Sequence, residues 1–276
     1  MAGNESALGT TTETGTRAPQ RGPRSFRPGI GVARWLVLLA LLALWQLGVE
    51  AGAIDPYFYS SPREIGQTLI ELFSGGRIWE HLVATLQAAV LGLLIGFVLG
   101  SLLGWLAARY RWVAEFVEPV MTLLNSVPRI VVTPMIILWL GIGLESKIAA
   151  AFLLVFVVIF FSVYTGIRQV NRDLVDRVRI LGGNERDILR HVYVPSVAAY
   201  VFSSLRLTVG FAFTGAIVGE YMASSRGLGY LLNFAQNSQN AALMLSTVVI
   251  IMVVIMGIFA LLSRVERRAM VWRDEH

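Results

Sequence analysis

Three histidines, one lysine and no cysteine leave few residues able to do chemistry in this chain. Without cysteine there is no thiolate nucleophile, no Cys-ligated zinc and no iron–sulfur cluster. His81, His191 and His276 are far apart in the sequence. The topology developed below puts His81 across a membrane from the other two, so they cannot share one metal site. The lone lysine, Lys147, follows Ser146. A Gly-Lys-Ser/Thr phosphate loop is therefore excluded, and P-loop nucleotide hydrolysis with it. Neither Gly141-Ile142-Gly143 nor Gly227-Leu228-Gly229 completes a G-x-G-x-x-G dinucleotide fingerprint. What remains is charge placed among apolar residues: Arg129, and Glu220 at the end of an apolar run. Intramembrane charge is costly and marks solute or ion pathways.

The elements that would hold these charges are membrane helices. Of 276 residues, 55% are hydrophobic and 15% charged, with a mean hydropathy of +0.65. Soluble domains carry about 25% charged residues. Residues 1–29 are rich in Gly, Thr, Ser, Pro and Arg and are expected to form a disordered tail. Beyond them lie six apolar stretches near the ~20 residues that cross a bilayer. They fall at about 32–49, 82–108, 119–143, 148–167, 197–219 and 241–263. The first could instead be a signal peptide, but its apolar run exceeds the usual ~7–15 residues. With the N-terminus in the cytoplasm, 17 basic residues fall on cytoplasmic segments and 4 (Arg63, Arg77, Lys147, Arg226) outside. That asymmetry predicts six spans with both ends inside, including a short cytoplasmic tail at 266–276. It also accounts for the net charge of +5 without nucleic acid.

Inside the second span, Ala84, Ala88, Gly92, Gly96, Gly100, Gly104 and Ala108 recur at every fourth position. Such a stripe lets two helix backbones approach closely, either as fixed packing or as a sliding surface. In the third span, Ser126-Val127-Pro128-Arg129 and Thr133-Pro134 predict a broken helix lining a cavity. Arg129 is either a pathway residue that attracts an anion, or a cation paired with Glu118 or Glu220 or reaching the interface. Glu220 is read as interfacial or as facing the same pathway. Outside, Ser61-Pro62-Arg63-Glu64 opens a surface helix with Ile65, Leu69, Leu72 and Phe73 on one face.

The cytoplasmic segment 168–195 carries two short helices. Asp173 and Asp176 begin the first, with Leu174, Val178 and Leu181 expected on one side. Gly182-Gly183 breaks it, Asn184 caps the second with Asp187 three residues on, and Pro195 marks the next span. A helix pair with an apolar stripe fits partner docking or a position in the interface.

This segment resembles the coupling loop of the permease subunit of binding-protein-dependent ABC importers, E-A-A-x-x-x-G followed after nine residues by I-x-L-P. Gly182 matches the glycine, Val192-Tyr193-Val194-Pro195 the terminal motif and Asp176 the glutamate. Arg177 and Val178 replace the two alanines. Further segments look like the nitrate/sulfonate/taurine branch. They are Tyr59-Ser60-Ser61-Pro62, Ser126-Val127-Pro128, the run from Ile136 to Gly143 with Ser146-Lys147, and Gly219-Glu220 with Gly227-Leu228-Gly229-Tyr230. The resemblance covers about residues 33–265.

It implies an all-α, type I (MetI-like) permease fold over 30–265 and a homodimer in the inner membrane. Two ATPase subunits would dock on the loop helices, and a substrate-binding protein would deliver solute from outside. This chain would hold no cofactor and catalyse nothing, because ATP and Mg would be bound by the ATPase. Transport would run by alternating access, with a solute of the sulfonate, taurine or nitrate class. Ser126, Pro128, Arg129, Thr133 and Glu220 are the candidate pathway residues. Two other classes remain. An ion-coupled secondary transporter or channel would more often show several intramembrane acids, where Glu220 is the main one here. A membrane enzyme would need a polar constellation within the spans.

Overall fold

The computed structural model describes residues 28–269 of the chain. The expected N-terminal tail lies outside the described residues up to position 27, as does 270–276. Pro28 and Gly29, read as tail, instead open helix α1 (Pro28–Glu50), since proline at a first helical position loses no bond. The last helix likewise runs to Ala269, four residues into the expected C-terminal tail. Among the described residues every regular element is helical. The chain divides into two compact units, residues 1–44 and 45–276. The described part of the first is the apolar opening of α1.

The second unit is organised by the small-residue stripe. It lies on α4 (Ile78–Arg109), which starts before the expected span and includes His81. A Cβ placed on Gly92 would lie 2.5 Å from Ala151 Cβ and 2.9 Å from the Ile148 carbonyl. On Gly96 it would meet Val155 at 2.7 Å, on Gly100 the Phe156 carbonyl at 2.8 Å, and on Gly104 the Phe160 carbonyl at 2.8 Å. These partners lie on α7 (Leu144–Arg168). Both sides of the seam advance four residues per contact in the same direction, so α4 and α7 run parallel. Van der Waals packing of this kind is what associates helices in lipid.

Two parallel spans need a return crossing between them. It is made by α5 (Arg111–Ser126) and α6 (Arg129–Leu140), bent by 107° where they meet. Pro128 is the reason. The residue before a proline is pushed out of the helical region, and Val127 has ψ 130°. Where the sequence reading drew one interrupted stretch over 119–143, the structure has two helices, the first beginning at Arg111. Tyr164 ties α5 to α7, donating to Glu118 Oε2 at 2.8 Å and accepting from Arg168 at 2.5 Å.

Helix α10 (Val194–Met222) runs antiparallel to α7. Gly215 approaches Ala151, with a Cβ there 2.6 Å from Ala151 Cα, while Gly166 faces Tyr200. Ala88, Ala89, Ala151, Val155, Ile159, Val209, Ala212, Phe213 and Ala216 form the buried core of these three helices. On its far side lie α11 (Leu228–Asn237) and α12 (Ala241–Ala269). The short α2 (Pro56–Tyr59) precedes α3 (Pro62–Ser74), whose N-cap Ser61 accepts from the Glu64 N–H at 3.2 Å. Of the expected α3 face, Ile65 is buried and Leu69 and Leu72 pack with Ile78, Leu82, Leu228 and Ile250. Phe73 stays exposed against the edge of Trp79.

Gly96→Leu is expected to force α4 off α7. Overpacking of this kind costs about 1–3 kcal/mol, so the thermal midpoint of the purified chain should fall by several degrees. Gly257→Leu, at a position with nothing within 4 Å of an added Cβ, should leave it unchanged. Equal midpoints would show that the seam is loose.

Candidate functional site

Two constellations stand out, at opposite ends of the α4–α7–α10 core. The first is the segment between α7 and α10. In it, α8 (Arg172–Ile180) is capped by Asn171, whose side chain accepts from the Asp173 N–H at 2.8 Å. Asp173 lies in its first turn and Arg177 and Arg179 in its last, an order that complements the helix dipole. A Schellman motif ends it. The Gly183 N–H donates to the Val178 carbonyl at 2.9 Å and the Gly182 N–H to that of Arg179 at 3.0 Å. The two glycines have different reasons. Gly182 has φ +82°, while a Cβ on Gly183 would lie 2.6 Å from Val178 Cγ1.

Asn184 then starts α9 (Glu185–Ile188) with a complete capping box. Its side chain accepts from Arg186 and Asp187, and Asp187 accepts from the Asn184 N–H at 2.9 Å. A π-helical turn, Leu189–Tyr193, leads into α10 without a break. Pro195, near the start of α10, cannot supply an N–H, and the widened turn before it is a way to carry a helix past such a residue.

Val175, Ile188 and Val192 are buried together, with Val170, Val178 and Tyr193 against them. The apolar side expected from Leu174, Val178 and Leu181 is therefore not one face. Val178 turns inward and Leu174 is exposed. Leu181 is 85% exposed and its neighbour Ile180 84%. The reason is length: α8 ends at Ile180, and Leu181 sits where the chain turns into the Schellman motif. The result is an apolar tip. Asp176 pairs loosely with Arg179 at 3.8 Å, and Arg179 reaches Glu185 at 3.3 Å. Exposed pairs of this kind contribute little. A cleft of about 1050 Å³ separates this segment from α4 and α7, with Trp105, Arg109 and Tyr193 in its wall.

The second constellation is a polar knot around Glu220. The residue is 2% exposed, enclosed by the protein. Three successive backbone N–H groups at the start of α11 find side-chain acceptors on other helices. Gly227 donates to His81 Nδ1 at 3.0 Å, Leu228 to Thr85 Oγ1 at 2.9 Å, and Gly229 to Glu220 Oε2 at 3.0 Å. Thr85 completes the knot by donating to Glu220 Oε2 at 2.8 Å. A carboxylate suits this place because a helix N-terminus carries unpaired donors and partial positive charge. Gly227 adopts φ +116°, which directs the chain back toward Glu220.

Beside the knot, Lys147 is 4% exposed. It lies in the first turn of α7, which begins four residues before the span expected at 148–167. Its Nζ donates to the carbonyls of Ile142 and of Gly143. Lys147 and Glu220 line a cavity of about 310 Å³ with Glu80, Ser224, Ser225 and Arg226.

The other predicted pathway residues sit elsewhere. Ser126 ends α5 and donates to the Thr122 carbonyl at 2.8 Å. Pro128 precedes α6, and Thr133 is buried within it. None of these three lines the charged cavity. Arg129 opens α6, and its side chain lies outside the described residues. Thr85 and His81 join the site without having been among the candidates from sequence. Their signal was the spacing: polar residues four apart at the start of an apolar run share one helix face. No group of three or more potential metal ligands occurs among the described residues.

Thr85→Val removes a donor to Glu220 and the acceptor for Leu228 in one isosteric step. An unpaired buried group costs about 1–3 kcal/mol. Amide exchange at Leu228 and Gly229 should accelerate accordingly, with a smaller effect for Glu220→Gln, which keeps an acceptor oxygen. Unaltered exchange in Thr85→Val would mean the knot does not hold α11.

The sequence profile of the binding-protein-dependent transport system inner membrane component family matches residues 96–271. The riboflavin transport system permease protein RibX of Chloroflexus aurantiacus is 31% identical, over 89% of this chain and 91% of that protein. The putative aliphatic sulfonates transport permease protein SsuC of Bacillus subtilis is 29% identical over 98% of both. The taurine transport system permease protein TauC of Escherichia coli is 24% identical over 86% and 88%. Among solved structures, a chain of the inward-facing MetNI methionine ABC transporter superposes with a TM-score of 0.55 at 21% identity, over 72% of this chain and 97% of that one. That likeness gives the fold. With the matching family profile, it makes this chain a multi-pass membrane protein belonging to the binding-protein-dependent transport system inner membrane components, the permease subunits of ABC importers.

Proposed function

We propose that this permease carries a small anionic solute of the sulfonate, taurine or nitrate class into the cytoplasm by alternating access. It does so as one of two identical chains, driven by two separate ATPase subunits that bind ATP and Mg, and supplied by a substrate-binding protein on the outer face. The chain has no phosphate loop of its own, so ATP that drives it would be hydrolysed by another subunit. The basic end, with Arg109, Arg168 and the segment 169–193, is the cytoplasmic one by the positive-inside rule. Both termini then lie in the cytoplasm.

The observation that carries this reading is the tip Ile180–Leu181, two large apolar side chains held out by a Schellman turn at the basic end. Large apolar residues left out of the core in this way suit a partner's pocket. The segment has a small core of its own, so it can move as a body. It is continuous with a helical rod of 38 residues from Glu185 to Met222, about 57 Å at 1.5 Å per residue. That rod begins just after the turn that holds the docking tip and carries Glu220 near its other end. A push on the tip would pass through the packed Val175–Ile188–Val192 cluster into the rod and so to its outer end. Each state must bind solute and partners differently for a cycle to result.

The pathway is assigned to the α5–α6 break, with Ser126, Pro128, Arg129 and Thr133, and to the Glu220 end of α10. The anionic class is supported by Arg129 and by relatives named for sulfonates and taurine.

Affinity capture from native membranes tests the central claim. The full chain should bring down a phosphate-loop ATPase. Leu181→Asp and Gly182→Asp should each reduce capture and uptake by about tenfold or more, as loss of an interface hot spot does. The thermal midpoint of Leu181→Asp should not change. Capture of no ATPase by the wild-type chain would end the reading.

A further inference from the structure

The cleft of about 1050 Å³ at the basic end is a trough with two helical walls. On α4, Phe97, Ser101, Trp105 and Arg109 line it at four-residue spacing, and so share one face. On α10, Val194, Val197, Val201 and Leu205 line it, with the start of α10 beside the end of α4. Val163 and Ile167 of α7 form the floor. Charge is confined to one end, where Arg109 meets Arg179 and Glu185 of the docking segment. Deeper in, Ser101 supplies the one hydroxyl of the lining.

The depth of the trough is that of one leaflet. From Phe97 to Arg109 the α4 wall runs about 18 Å at 1.5 Å per residue. Half of a ~30 Å hydrocarbon core is about 15 Å. No charge interrupts the chain from Leu82 to Ala108, so Arg109 marks the level where hydrocarbon ends. Trp105, 43% exposed, lies one turn inside that level, where interfacial aromatic residues collect.

The charged end favours an anion. Glu185 is taken up by Arg179 at 3.3 Å. Arg109 has no carboxylate partner among the described residues and lies over the Tyr110 ring at 5.7 Å. Its guanidinium has five donors in a fork that fits phosphate oxygens. A small hydrophilic anion held there would leave the apolar length of the trough unfilled. A molecule with an anionic head and a chain one leaflet long fills both parts.

We propose that this trough binds an anionic phospholipid of the cytoplasmic leaflet, with its phosphate on Arg109 and an acyl chain between α4 and α10. Basic pockets between membrane helices on the cytoplasmic side suit such headgroups. The lipid would lie between the docking segment and the core, because Glu185, Leu189 and Tyr193 close the same end. The proposal uses the orientation given above and is independent of the solute carried.

Tryptophan quenching by brominated lipids tests it on the full chain in phosphatidylcholine nanodiscs. The probes are dibromostearoyl phosphatidylglycerol and dibromostearoyl phosphatidylcholine. The chain has seven tryptophans, so the Trp105 signal is the difference between wild type and Trp105→Phe. Its half-quenching is expected at an about fivefold lower fraction of the glycerol lipid than of the choline lipid, as for one arginine at an anionic headgroup. Arg109→Gln should abolish this preference and Arg109→Lys should keep part of it, both at an unchanged thermal midpoint. Ala198→Leu, which fills the trough, should reduce quenching by both lipids. Equal quenching by the two lipids, or a preference that survives Arg109→Gln, would overturn the proposal. So would a Trp105 that neither lipid quenches, since the trough would then be covered by protein such as a second copy of the chain. ATPase capture is read separately, so a chain that captures the ATPase and shows no lipid preference loses the lipid site and remains a permease.

Discussion

Three helix backbones converge on Ala151, and the rest of the second unit follows from that approach. Gly92 of α4 and Gly215 of α10 both bring main chain against it, at distances that admit no side chain. In hydrocarbon there is no gain from hiding apolar side chains, since lipid tails are equally apolar. Association rests on dispersion, which falls off steeply with separation. Glycine and alanine are what let the helices come close enough. The same contact sets the topology. Because α4 and α7 run parallel along the seam, the chain between them must cross back, and the α5–α6 pair does this with its bend at Pro128.

The packed seam also explains where polar groups can sit. An irregular segment within a membrane protein has backbone groups that lipid cannot satisfy. The stretch from Ala223 to Gly227, between α10 and α11, is such a segment. The N–H of Gly227, at its end, and those of Leu228 and Gly229, opening α11, are met by His81, Thr85 and Glu220, which come from α4 and α10. Those side chains meet because α4 and α10 both pack on α7 and touch each other. The knot therefore depends on the seam, though no residue is shared between them.

The segment 169–193 obeys a different rule. Its stability is local, made by two N-caps, a Schellman turn and a cluster of valines and isoleucine. It leaves Ile180 and Leu181 exposed where a soluble domain would fold them in. A self-contained segment joined by continuous helix to the core is suited to transmit displacement, since packed helices move as bodies more readily than they deform.

Much of this was legible in the residues. A period of four small residues predicted the seam, Pro128 the break, and Ser61 and Asn184 the starts of α3 and α9, because these are local rules of backbone geometry. The excess of arginine in one set of segments, the missing phosphate loop and the family resemblance were equally visible. What the sequence could not decide was which surfaces meet. Leu181 belonged by spacing with Val178, but α8 ends one residue too soon, and the two point apart. Glu220 read as interfacial or as facing the pathway, and its enclosure was not visible because its partners are 135 and 9 residues away in the chain. Lys147 read only as an outside residue between two spans, and the structure buries it at the same cavity as Glu220. Helix, cap and break are set by neighbours in sequence. The enclosure of a charge is set by what three helices bring together, and only the tertiary structure decides that.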